Sequence, residues 1–177
     1  MKTLNPAVIA AAALLMSSPL ALAQNSGNGQ FSSADKHYLK QDARGAAYEL
    51  QISQLAAQKA NNQQVRQYAE MAAKDHQNYN QQEQQLAEQN GVTLPTSPTR
   101  EEQSRINRLQ QLNGSAFDDA YVRDMRQVNQ RDVNEEQKEA NSTQNQQIKQ
   151  FIQQFKQMDQ KHLQDARNLP ISGSNNG

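Results

Sequence analysis

Two histidines stand close to carboxylates in this chain. Asp75 and His76 are adjacent in MAAKDHQ, Met71 to Gln77, and His162 follows Asp159 by three positions. Imidazole beside carboxylate serves two chemistries, proton transfer and ligation of a divalent ion. An Asp-x-x-His spacing puts both groups one turn apart on one helix face, a shorter version of the Glu-x-x-His used in di-iron bundles. Asp75, by contrast, is turned about 100° around the helix from His76. The residue one turn before His76 is Ala73. The chain has no Cys, so it forms no disulfide and no thiolate metal site. It has no Gly-rich phosphate loop and no G-x-S-x-G nucleophile turn.

Helices must position these groups. Leu39, Ala43, Ala46, Leu50, Ser53 and Ala57 recur at steps of four and three and predict a helix from about Ser33 to Ala60. A second runs from Asn61-Asn62 to about Asn90 with Val65, Ala69, Ala72, His76, Tyr79, Glu83 and Leu86 inward. Gly91 stands where a left-handed cap belongs. Thr99-Arg100-Glu101-Glu102 is a capping box opening a short helix with Ile106, Leu109 and Leu112. After Asn113-Gly114, Ser115 with Asp118 marks a third long helix carrying Phe117, Tyr121, Val122, Met125, Val128 and Val133. The run RDVNEEQKEA, Arg131 to Ala140, reads as its solvated end. The fourth carries Ile148, Phe151, Ile152, Phe155, Met158, His162, Ala166 and Leu169. No convincing strand appears. The fold expected is all-α, a four-helix bundle over residues 33–169. Its long middle connection, Gly91 to Gly114, holds a short helix and suits a ferritin-like crossover. An up-down-up-down order is the alternative.

The ends speak to location. Lys2, the apolar run Ala7 to Met16 and Ala21-Leu22-Ala23 form a secretory signal peptide over residues 1–23. That run is shorter than the ~20 residues that span a bilayer, and no later stretch approaches the length. Residues 24–32 read as a flexible leader and 170–177 as a disordered tail. The protein is therefore expected in the periplasm or outside the cell, with no transmembrane segment after cleavage. The 18 Lys and Arg residues lose Lys2 with the signal, leaving 17 against 18 acidic residues. Near-neutral charge excludes a phosphate-binding basic face, so nucleic acid is not an expected partner.

The ordered series Glu49-Leu50, LAAQKANNQQVRQYAEMAAKDH, GVTLP, GSAFDDAYVRDM and KHLQDA resembles the secreted bacterial family called domain of unknown function 4142. The resemblance covers nearly the whole chain after the signal and implies a ferritin-like helical bundle of unestablished activity. It also implies a pattern of Glu in the first helix, Asp-His in the second, and one His each in the third and fourth. The matching residues are Glu49, Asp75-His76, Asn129 and His162, so the third-helix His is missing. Asp132 lies near the same face as Asn129, yet the four-carboxylate, two-His set of a di-iron site cannot be assembled. What stays open is a single divalent ion held by His76, His162 and one of Glu49, Glu83 or Asp159, with Asp75 beside it.

Counting from the turns offsets the two imidazoles by roughly 10 Å along the helices, although their side chains lean toward each other. The plain reading makes both histidines core residues, each hydrogen-bonded to a carboxylate or a carbonyl, with no cofactor. His37 reads as a surface residue. Three functions follow: a non-catalytic envelope or stress protein acting through protein partners, a metal-binding bundle, or a periplasmic chaperone. The absence of a repeated Leu-Thr-x-x-Gln motif weighs against the last.

Overall fold

The computed structural model describes residues 30–172. The expected signal peptide, most of the expected leader and the last five residues of the expected tail lie outside the described residues. Five helices and no strand occur among the described residues: α1 (Ser33–Lys59), α2 (Gln63–Gln89), α3 (Arg100–Gln111), α4 (Gly114–Ser142) and α5 (Gln146–Asn168). Their starts follow local chemistry. Ser32 with Asp35, and Thr99 with Glu102, form reciprocal capping boxes, while Asn62 and Asn145 accept two backbone N–H groups each.

Helix α2 ends as its sequence predicts. Gly91 adopts φ 66°, Val92 N–H donates to the Ala87 carbonyl and Gly91 N–H to that of Glu88. These are the two bonds of a Schellman cap, which needs a left-handed residue at that point. The start of α4 differs from expectation. Its cap is Asn113, with no side-chain bond, and Gly114 takes φ 57°. Asp118 instead reaches across the fold and accepts the backbone N–H groups of Asn61 at 3.0 Å and Asn62 at 2.8 Å. One buried carboxylate thus pins the α1–α2 turn to the beginning of α4.

The turn at 60–62 lays α2 against α1 and the turn at 143–145 lays α5 against α4; these are the most extensive pairings. Thinner contacts of α2 with α5 and of α1 with α4 join the two pairs. Helix α3 leans on α1 and α4, where Arg105 pairs with Asp124 and lies over the Tyr48 ring, and Tyr48 donates to the same Asp124. The packing reaches past the expected domain edges, since Phe31 is buried with Leu39 and Ile148, and Ile171 rests on the core.

The core is divided along its length. One end packs Ile52, Ala56, Val65, Phe117, Tyr121, Val122 and Met125 at essentially zero exposure. The other packs Phe31, Leu39, Val92, Leu94, Ile148 and Ile152. On α1 the buried stripe turns toward Tyr48, Ile52 and Ala56, leaving Leu50 and Ala57 half-buried. Between the two apolar ends the helices carry His76, Glu49, Glu83, Glu136, Asp159 and His162, all buried.

Candidate metal centre

The middle layer is assembled from α1, α2, α4 and α5. His76 and His162, on α2 and α5, have ring centres 5.3 Å apart, so the leaning of their side chains closes the offset expected from residue counting. Asp159 faces both. One ligand atom from each of His76, Asp159 and His162 lies within 4.8 Å of the other two, and all three residues are buried. The Asp-x-x-His spacing on α5 therefore puts both its groups into one site.

Asp75 does something its neighbour does not. Its Oδ2 lies 3.0 Å from Nε2 of His162, across the interface from its own helix. With Nε2–H donating to this carboxylate, the lone pair of His162 sits on Nδ1, which is buried and has no partner. A carboxylate holding one ring nitrogen so that the other points inward is the arrangement found behind metal-ligating histidines. Burial lowers the pKa of His162 to about 4, and the adjacent His76 adds to the effect, so its ring is neutral at neutral pH.

His76 is likewise lowered to about 4 by burial. Its Nε2 lies 3.2 Å from Oε2 of Glu49, inside ion-pair range, yet neither atom makes a hydrogen bond of acceptable geometry. A neutral ring pointing at a carboxyl without bonding it is a contact, not an ion pair. His162 meets the plain expectation at Nε2, which pairs with Asp75, while each of the two rings keeps one buried nitrogen without a partner.

Carboxyls surround the pair. Burial raises Glu49 to about 7, and its carboxyl meets that of Asp132, also pushed well up by burial. Glu136, raised to about 7 by burial, meets Asp159 in the same way. Asp42 is raised to about 7, again by burial, and faces Glu83, which is only 2% exposed. Each pair can share a proton, which is how adjacent carboxyls avoid holding two charges together.

Asp132 and Glu136 correct the reading of Arg131 to Ala140 as a solvated helix end. Glu136 is 3% exposed and the Asp132 side chain is mostly enclosed. The signal was present: Met125, Asn129, Asp132 and Glu136 continue the inward stripe at steps of four, three and four, while Val133 is half-buried. Asn129 is fully buried and donates to the Met125 carbonyl at 2.6 Å, leaving its Oδ1 unpartnered. His37, as expected, is exposed.

An all-helical protein with a buried imidazole and carboxylate layer is the class that these observations define. The chain belongs to the family described as domain of unknown function (DUF4142), whose sequence model matches residues 20–169. No curated protein and no solved structure matches it. No helix among the described residues is long and apolar enough to cross a membrane.

Proposed function

We propose that this protein is an exported, ferritin-like four-helix bundle that binds one divalent transition-metal ion, using His76, Asp159 and His162 as ligands. The observation that carries the reading is the unpartnered Nδ1 of His162, whose other nitrogen is fixed by Asp75. Two neutral imidazoles and one carboxylate suit Zn2+ or a related first-row ion, with Glu49 beside His76 as the nearest further oxygen. The role of the bound ion is to be held, and the protein acts in the cell envelope as a binding protein, not as an enzyme.

Elemental analysis of protein purified without chelator tests this. Wild type is expected to carry about one equivalent, and His76→Ala and His162→Ala well under half of that. Equal, negligible metal in all three ends the reading. An envelope interaction protein acting through its surface is the second reading. It is favoured by the near-neutral, amide-rich sequence, and pull-down from a periplasmic extract that returns no partner would count against it.

A further inference from the structure

The cleft that reaches His76 is larger than an ion needs. It lies between α1 and α4, encloses about 560 Å3, and its wall includes Asp42, Glu49, Asp132, Glu136 and the rings of Tyr38 and Tyr79. A water molecule's share of liquid is about 30 Å3, whereas pockets for small organic molecules run from roughly 300 to 1,000 Å3. On this wall carboxylates outnumber the basic residues Arg44, Arg131 and Lys138.

The carboxylates here want hydrogen-bond donors. Even with a proton shared within each pair, one oxygen each of Glu49, Asp132 and Glu136 is buried with no hydrogen-bond partner, and Glu49 and Glu136 are each 3% exposed. Such atoms are costly unless a ligand supplies the hydrogens. A second bare ion fits poorly. Among the described residues only His76, Asp159 and His162 bring three ligand atoms within 4.8 Å of one another. The other carboxylates are strung out along the helices. Asp42 and Glu49 are two turns apart on α1, roughly 10 Å of rise, and Gly45, Ala46 and Met158 give the cleft apolar wall.

We propose that this cleft binds a small aliphatic diamine. One ammonium group is held deep in the cleft by Glu136, Asp132 and Glu49, and the other by Asp42. The methylene chain lies along Ala46 and the Tyr79 ring. An ammonium group offers three donors and no acceptor, which matches carboxylate oxygens that lack donors. Charge-assisted bonds at both ends and an aromatic face beside a cation favour this ligand over a singly charged one. The inference does not depend on the metal reading, although Asp159 borders both sites.

Calorimetric titration of the purified, chelator-treated protein decides it, with putrescine as probe, n-butylamine as the singly charged control, and Zn2+ in a separate arm. Putrescine is expected to saturate a single site, with n-butylamine weaker by about tenfold or more. Glu136→Gln and Asp42→Asn should each weaken putrescine by about tenfold with the melting temperature maintained. His162→Ala should abolish Zn2+ binding and leave putrescine binding intact. In wild-type protein alone, putrescine should shift the NMR signals of Ala46 and Tyr79. Absence of putrescine binding and of these shifts, or unchanged affinity in both carboxylate variants, overturns the inference. Zn2+ binding without putrescine binding removes the diamine site only, and putrescine binding without Zn2+ removes the metal reading only.

Discussion

The same helices build two unlike interiors. Around Phe117 and Tyr121 the core is apolar, and its few polar groups are matched: Ser53 and Tyr121 share a hydrogen bond at 3.2 Å, and Asp118 takes two backbone N–H groups. A few turns along, Glu49, His76, Asp132, Glu136 and His162 each keep a buried atom with no partner. The first region gains from burial, because apolar area leaves water and the polar groups beside Phe117 and Tyr121 are satisfied. The second loses by it, since desolvated carboxyls and imidazoles must shift their protonation to be tolerated. A fold that keeps so many unmet groups in its middle gives up stability there, which is the pattern expected where side chains are kept for a purpose other than packing.

Substitution sharpens this contrast most directly. Phe117→Ala should cost roughly 3–5 kcal/mol in chemical denaturation, because the ring is fully buried among apolar neighbours. Glu49→Gln, at a position just as enclosed, should leave stability equal or raise it, since the amide removes a charge that burial opposes. A large loss in Glu49→Gln would erase the distinction between the regions.

A smaller effect tests the orienting carboxylate. Asp75→Asn should weaken Zn2+ binding by about 10- to 100-fold with little change in melting temperature, because Asp75 is half-exposed and would act on the proposed ion only through His162. Unchanged affinity would mean that the cross-helix hydrogen bond does not set the His162 ring.

The smallest effect concerns pH, because two sets of groups oppose each other. Asp42, Glu49 and Glu136 are held at about 7, and Glu83, Asp132 and Asp159 are also raised, so the folded state keeps protons that the unfolded chain releases near pH 4. Their stabilisation is full below the unfolded pKa and is lost as pH rises toward about 7. His76 and His162, lowered to about 4, act the other way and favour the fold less as pH falls below about 6.5. Carboxyls outnumber imidazoles, so the metal-free protein should melt at a higher temperature near pH 5 than near pH 7. Thermal scans across that window check the sign, and a melting temperature that rises with pH would show that the imidazoles dominate.

Much of the fold was legible because helices announce themselves locally. Gly91, the Thr99–Glu102 capping box and the Val65 to Glu83 stripe appear where their spacing put them. Asp118 was misread as part of a local helix start, since its true partners lie 56 and 57 positions away. Glu136 was missed for a related reason, and Asp132, although placed near the Asn129 face, was counted in the solvated run. Charged residues normally mark a solvated face, and only the continuation of the Met125 register points them inward.

By itself the sequence determined the helices, their caps and which faces turn inward, because those depend on contacts within a few residues. It also determined that no thiol chemistry is available. Tertiary structure alone decided that Asp75 serves His162 and not its neighbour His76, and that Asp159 completes the set. Those pairings join residues 83 to 87 positions apart, and their geometry depends on how two helices lie against each other, which no local pattern specifies.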